Sequence, residues 1–188
     1  MTSAVQIANL ALVTLGDDEA LVELNSDTRA GRTILAVFEP LRDAVLRAHP
    51  WNFAMTRASL PALIDPPAFG YAYAYQLPAD WLRFVDPDEY QPYSIESGLL
   101  LTDAEPPFNI RYIRRVTDTG LFDAMFVQAL ATRIAWAVAQ RLTGSAQIKA
   151  DAERAHLAVM ADAKKVDGQE NPPDDYPEDD WVLAREAD

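Results

Sequence analysis

Two histidines are the first residues in this sequence that could do chemistry, as proton donors and acceptors near neutral pH. His49 stands beside Pro50 at the predicted end of a helix, and His156 lies within a later helical pattern. A general-base histidine needs a nucleophile beside it, and no serine motif of the strand-turn-helix type accompanies either one. No His-x-x-x-His metal pair exists. We expect structural roles, with His49 bonding the last free carbonyls of its helix.

Two short acidic runs could supply the paired carboxylates of a glycoside hydrolase, namely Asp17-Asp18-Glu19 and Asp86-x-Asp88-Glu89. Both lie beside glycine or between prolines, which is typical of solvated turns, and a loose calcium site at the second run lacks the twelve-residue loop spacing. The absence of cysteine excludes thiolate nucleophiles and cysteine-ligated zinc, and there is no glycine-rich phosphate loop. We predict that the chain is not an enzyme and has no cofactor or metal.

Charge is distributed unevenly along the 188 residues. The net charge is −13, and residues 167–188 carry −8 of it, with nine carboxylates against the single base Arg185. An acidic surface repels a phosphate backbone, so we expect no tight nucleic-acid binding, although DNA could slide past such a wall. No run approaches the roughly 18 apolar residues of a membrane span, and the lack of cysteine agrees with a reducing cytoplasm. We expect a soluble protein with no membrane partner.

A tyrosine-rich segment provides candidate subunit contacts. Tyr71, Tyr73 and Tyr75 alternate, so they would line one face of an extended segment. Base-stacking platforms need basic neighbours, and Arg83 is the only base nearby. Packing beneath a sheet or against a neighbouring subunit is therefore the favoured interpretation.

The one basic cluster in the sequence provides a second set of candidate contacts. It consists of Arg114 and Arg115, with Arg111 close by. These arginines could pair with acidic residues on another subunit or remain solvated. We therefore treat Arg114 and Arg115 as candidates for a subunit interface, together with the three tyrosines.

Helical patterns open and close the chain. Ser3 and Gln6 predict a capping box for a first helix that Gly16 stops. Ser26 or Asp27 could cap a second helix, in which Pro40 predicts a kink or a break near Glu39 and which Pro50 ends. A third helix is predicted from a cap at Asp118, Thr119 or Asp123 to about Thr143. A fourth follows Gly144-Ser145 to Val166 and pairs with the third in antiparallel fashion.

Between these two helical parts the helical spacing of apolar residues ends and prolines become frequent. Nine of the thirteen prolines lie between Pro50 and Gly120, with Pro50 included. Short extended segments are predicted at 52–60, 82–86, 93–96, 99–102 and 108–115. The sequence therefore predicts an α+β fold, mainly α, with about four helices, an inserted small antiparallel β region and an acidic tail. The predicted divisions are 1–50, 51–120, 121–167 and 168–188.

The acidic tail has two interpretations. Its Pro- and Asp-rich sequence cannot build a core of its own, so it could be a flexible, solubilising end. Aromatic anchors in a polar segment instead suggest folding on a partner. The candidate partner-binding residues are Tyr176, Trp181, Val182, Leu183 and Arg185, with Trp181 as the anchor.

Three sequence motifs, in this order along the chain, resemble those of the tail tubular protein A family. The first is His49-Pro50-Trp51-Asn52-Phe53-Ala54, and the second is the run Gly70 to Arg83, which closes on Leu77-Pro78-x-Asp80. The third is Phe122-Asp123-x-x-Phe126, which opens an alanine-rich helix ending near Leu142-Thr143. The resemblance covers roughly residues 3–166. The sequence departs from the family pattern in the acidic turn after Gly16 and in the tail.

The resemblance implies a structural role in a virion or phage-like particle assembled in the bacterial cytoplasm. Proteins of that family are ring-forming adaptors that join the portal of a phage capsid to its tail. For this chain it implies a ring, expected to be a dodecamer, between the portal protein and the next tail component, a nozzle, stopper or tube protein. DNA would pass through the lumen, and the C-terminal region would hold the portal. Two alternatives are a peptidoglycan-degrading entry enzyme and a cytoplasmic helical regulatory protein.

Overall fold

The computed structural model describes residues 2–17, 19–87 and 91–170. Four α-helices lie in this part of the chain, α1 (Ala4–Thr14), α2 (Arg29–Ala48), α3 (Ala124–Thr143) and α4 (Ala146–Glu170). Six β-strands separate the two helical pairs: β1 (Met55–Leu60), β2 (Tyr73–Gln76), β3 (Trp81–Pro87), β4 (Tyr93–Glu96), β5 (Leu99–Thr102) and β6 (Phe108–Arg114). The predicted mainly helical α+β fold with an inserted antiparallel β region is confirmed.

Side-chain caps fix where the helices begin. At α1 the predicted capping box is present, because the Gln6 amide donates to Ser3 Oγ at 3.2 Å and the Ser3 amide donates to Gln6 Oε1 at 2.8 Å. At α3 the predicted cap Asp123 accepts from the Met125 amide at 2.7 Å. The predicted caps of α2 are wrong, since Thr28 holds that position and accepts from the Gly31 amide at 3.0 Å.

Ser26 and Asp27 have other partners, which explains why neither caps α2. The Ser26 hydroxyl donates to the Glu23 carbonyl, and Asp27 forms an ion pair with Arg32. Ser26 is therefore held in the preceding turn, and Asp27 is held by a side chain of α2 itself. A choice among three neighbouring cap-forming residues depends on such contacts and not on residue type alone.

Helix α2 continues through Pro40 without the predicted break. Pro40 lies on the exposed side, while Ile34, Phe38 and Leu46 are buried in the core. The loss of one hydrogen bond on the solvent side is therefore compatible with a helix that its buried face holds against α3. Helix α4 likewise continues through Gly168 to Glu170, beyond the point where the tail was predicted to begin. A single glycine lowers helix stability by only about 1 kcal/mol.

The β region contains two three-stranded antiparallel sheets instead of the one sheet predicted. The first sheet has the strand order β1-β6-β3, and the second has the order β2-β5-β4. Strand β2 is missing from the predicted segments because its sequence, Tyr-Ala-Tyr-Gln, is short and follows a proline-rich loop. Its pairing with β5 joins residues more than twenty positions apart, such as Tyr73 and Thr102.

The first sheet separates two hydrophobic cores. The helical core contains large buried side chains from α1, α2, α3 and their joints, and α4 adds the buried Ala152 and Ala163. The large side chains include Ile7, Leu12, Ile34, Leu46, Trp51, Phe126, Leu130 and Ile134. The β core lies between the sheets and contains Leu60, Tyr75, Leu77, Leu100, Phe108, Ile110 and Tyr112. Neighbouring residues of β6 serve both cores, since Ile113 belongs to the helical core and Tyr112 to the β core. Strand β6 therefore couples the two halves.

Helices α3 and α4 form the predicted antiparallel pair. Thr132 Oγ1 lies 3.3 Å from His156 Nδ1, and each residue is twelve positions from the connecting Gly144. Ala152 and Ala163 are buried along the seam. No helix in the described part of the chain is both long enough and apolar enough to cross a membrane.

Candidate interaction site at the junction of bundle and sheet

The first and third of these sequence motifs contact each other in the helical core. Trp51 is 0% exposed, and its ring packs edge-on against His49 at 5.0 Å and against Phe126 at 5.2 Å between centroids. Phe53 adds a second contact with Phe126 at 5.1 Å. The Trp51 indole N–H donates to the Val45 carbonyl at 2.9 Å. These two motifs therefore form the joint between α2, β1 and α3.

The second motif, which ends in Leu77-Pro78-x-Asp80, fastens the turn before β3 to strand β6. Tyr112 Oη donates to Asp80 Oδ1 at 3.0 Å, and the Arg115 amide donates to the Asp80 carbonyl at 2.6 Å. Burial and the hydrogen bond to Asp80 raise the pKa of Tyr112 to about 12. The Leu-Pro-x-Asp turn is therefore locked to the sheet that couples the two cores.

Five arginines gather beside this joint, and we call them the arginine cluster: Arg42, Arg47, Arg83, Arg114 and Arg115. One carboxylate organises two of them. Arg42 Nη2 lies 2.8 Å from Asp43 Oδ1, and Arg115 Nε lies 2.7 Å from Asp43 Oδ2. Arg42 is buried, whereas Arg115 is exposed.

The remaining three arginines lie in or beside strand β3. Arg47 donates to the Leu82 carbonyl and places its guanidinium 5.8 Å from the centre of the Trp81 ring. Arg83 Nη1 donates to the Arg47 carbonyl at 3.3 Å. Arg114 pairs with Trp81 across the first sheet. The Trp81 Nε1–H is buried and has no acceptor among the described residues.

The arginine cluster is a concentration of positive charge on an acidic chain. Among the described residues, Asp43 pairs with two of the five guanidinium groups, and the nearby Asp80 accepts from Tyr112. Each guanidinium carries five N–H donors, of which the contacts above use one or two. The arrangement can bind carboxylate or other anionic groups.

Sequence reasoning found only part of this cluster. It singled out Arg114 and Arg115, but Arg111 lies further along β6, in register with Arg57 and Asp86. Arg47 and Arg83 were missed because 36 residues separate them and only the packing of α2 on β3 brings them together. No local pattern signals such a contact.

The three tyrosines differ in their accessibility. Tyr75 is fully buried, and its hydroxyl donates to the Ala104 carbonyl at 2.6 Å. Burial and the nearby Tyr73 and Glu105 raise the pKa of Tyr75. Tyr71 and Tyr73 are half-buried. The proposed tyrosine interface must therefore be corrected, because Tyr75 belongs to the interior of the β core and only Tyr71 and Tyr73 can reach a neighbour.

An exposed apolar loop precedes these tyrosines and was not singled out from the sequence. It joins β1 to β2 over residues 61–72, and Ile64 is 99% exposed and Phe69 88% exposed. Its base is held to the second sheet by the Leu63 amide, which donates to the Ala74 carbonyl at 2.8 Å. Apolar side chains beside Pro66-Pro67 were the available signal for a contact surface.

His156 lies in a packed environment between α3 and α4. Its ring is 5.9 Å from Trp136 at an interplanar angle of 30°, and Arg133 covers the other part of that indole at 4.3 Å. Burial and the Arg133 charge lower the pKa of His156, against the opposing effect of a hydrogen bond with the Ala129 backbone. Burial likewise lowers the pKa of Arg133.

The candidate residues of the tail, Tyr176, Trp181, Val182, Leu183 and Arg185, lie outside the described residues, as do Asp18, Asp88 and Glu89. Within the described ranges no group of three or more His, Asp or Glu side chains is placed to hold a metal ion. Comparison of the sequence with models of known protein families and with curated proteins gives no match.

Proposed function

We propose that this chain is a structural head-to-tail adaptor of a phage or phage-like particle. In this role it forms a ring beneath the portal, joins the capsid to the tail and lets DNA pass. The proposal is carried by the three sequence motifs that resemble the tail tubular protein A family: the first and third pack together in the helical core, and the second is fastened to the adjoining strand β6. Trp51 and Phe126 make the first of these contacts, and Asp80 makes the second.

The distribution of exposed groups supports a contact surface on the β region. Ile64 and Phe69 on the apolar loop lie close in sequence to the half-buried Tyr71, and Tyr73 follows in β2. Aromatic and apolar side chains of this kind are enriched at the centres of protein interfaces. In the proposed ring this loop contacts a neighbouring copy. The chain's net charge of −13 favours a lumen along which DNA slides without binding.

The C-terminal tail is the proposed portal-binding element. Trp181 is its anchor, since one buried indole contributes several kcal/mol at the best interface positions. Tyr176, Val182 and Leu183 extend the apolar contact, and Arg185 supplies a charged hydrogen bond. Ordering such a segment opposes binding, so repetition around the ring provides much of the avidity.

Native mass spectrometry of the purified chain with and without its cognate portal tests this function. We expect the chain alone to be monomeric and to form a ring, expected to hold twelve copies, on the portal. Trp181→Ala should weaken attachment severely, whereas Trp136→Phe on α3 is a matched aromatic control that should attach normally. Failure to bind the portal, or hydrolysis of peptidoglycan by the chain, would refute the proposal.

A further inference from the structure

We propose that in the free chain the acidic C-terminal segment, residues 171–188, docks onto the arginine cluster of its own chain. This interaction goes beyond the adaptor function and does not depend on it, because it concerns the isolated chain. The kind of occupant follows from the site, since a set of guanidinium groups with unused donors fits a carboxylate-rich peptide. The segment 171–188 is such a peptide, and its five acids between Asp174 and Asp180 lie within seven positions.

The geometry of the bundle brings the start of this segment to the correct end of the molecule. Arg29 at the start of α2 donates to the Arg141 carbonyl near the end of α3, and Arg141 Nε donates to Thr33 Oγ1 at 3.2 Å. Helices α2 and α3 therefore run in opposite directions. Because α3 and α4 are antiparallel as well, the end of α4 and the end of α2 lie at the same end of the bundle.

The arginine cluster lies at that end. Arg42 and Arg47 belong to the second half of α2, and Arg115 follows β6 and bonds to Asp43. Ala163 in the last turns of α4 is still packed in the helical core, so the helix is held in place close to the point where the acidic segment leaves it. The segment therefore begins at the end of the bundle where two members of its charge complement, Arg47 and Arg115, are exposed.

The segment is long enough to reach the cluster. Its eighteen residues span at most about 60 Å when extended, and a flexible chain of that length has a root-mean-square span of about 24 Å. A tether of this length gives effective concentrations in the millimolar range, so several weak ion pairs suffice for occupancy. Exposed ion pairs are screened by salt, which makes the interaction sensitive to ionic strength.

The absence of cysteine from the chain makes a direct test simple. A nitroxide label on Ala150→Cys, at an exposed position near the start of α4, or on Glu178→Cys in the full-length, isotope-labelled chain reports which backbone amides lie near it. With the label at 178 we expect at least a twofold loss of amide signal for Arg47, Arg83 and Arg115 at low salt, and recovery at 0.5 M salt. Amides around Gly144, at the opposite end of the bundle, should be unaffected. The label at position 150 is the control for non-specific broadening and should leave the amides of Arg47, Arg83 and Arg115 unaffected.

Charge variants separate docking from proximity. Neutralising Asp174, Asp175, Asp179 and Asp180 to Asn in the full chain leaves the described core untouched and should abolish the signal loss. Arg83→Gln with Arg114→Gln should do the same, while Lys149→Gln with Arg154→Gln, a matched removal of two charges on α4, should not. Persistence of the signal loss in the Asp→Asn variant would overturn the proposal. Transfer of the effect to unlabelled partner copies in a mixed sample would assign the segment to a neighbouring chain and overturn it as well.

Discussion

The joint around Trp51 and the apolar loop of the β region place their large apolar side chains in opposite environments. At the joint, Trp51 and Phe126 are completely buried and pack against one another. In the β region, Ile64 and Phe69 extend into solvent from a loop whose base is fixed to a sheet. A side chain that contributes nothing to the fold of the single chain is available for contact with another molecule. The comparison assigns a stabilising role to the joint, and we propose that the apolar loop serves association.

Removing the buried indole tests the role of the joint in this comparison. Trp51→Ala should lower the free energy of unfolding by about 3–5 kcal/mol, because it leaves a large cavity beside His49 and Phe126. Phe69→Ala removes an aromatic ring of the exposed loop and should change stability by less than about 0.5 kcal/mol. Urea unfolding followed by circular dichroism measures both. Equal losses from the two variants would refute the division of roles.

Alkaline titration tests the hydrogen bond between Tyr112 and Asp80, which fastens the turn before β3 to strand β6. The pKa of Tyr112 is raised to about 12 from the usual 10, so folding favours the neutral phenol. The resulting stability is fully present below pH 10 and is lost as the pH rises toward 12, on the order of 2 kcal/mol. The variant Tyr112→Phe should lack this component of the pH dependence. Parallel stability curves for the two proteins between pH 9 and 12 would contradict the account.

Acid titration tests the seam between α3 and α4 and has a smaller expected effect. The pKa of His156 is lowered from 6.5, chiefly by burial and next by Arg133, so the neutral ring is favoured in the folded chain. Its contribution is present above pH 6.5 and is lost as the pH falls below that value. Thermal unfolding at pH 7 and pH 5 should show a larger decrease for the wild type than for His156→Gln. The opposite order would show that the pKa of His156 is not lowered by folding.

In the apolar loop we expect substitutions to have the smallest effect on stability and a large effect on assembly. The double change Ile64→Ser and Phe69→Ser should alter the free energy of unfolding by less than about 0.5 kcal/mol. Ring formation on the portal should nevertheless fall sharply. Val22→Ser, at another side chain that is 93% exposed, is the control and should assemble normally. Loss of stability in the double variant would place these side chains in the fold and not in an interface.

Local signals and long-range contacts explain which features were predictable from the sequence. The Ser3 capping box, the Asp123 cap and the existence of strand β6 depend on residues close in sequence, and the structure contains all three. The half-buried alternation predicted for β6 is wrong at its end, because Tyr112 and Ile113 are both buried in cores on opposite faces of the sheet. The division into two sheets depends on pairing between distant strands, and Thr28 displaces Ser26 as a cap because Ser26 bonds to Glu23. The arginine cluster required contacts between α2, β3 and β6, so only Arg114 and Arg115 could be identified from the sequence.

A cryo-EM map of the chain assembled on its cognate portal tests the central claim most directly. The account predicts a ring in which Ile64 and Phe69 of each copy are buried against the next copy, while Trp51 and Phe126 keep the packing seen in the single chain. The absence of a ring on the portal, or a ring whose copies leave the apolar loop in solvent, would contradict it.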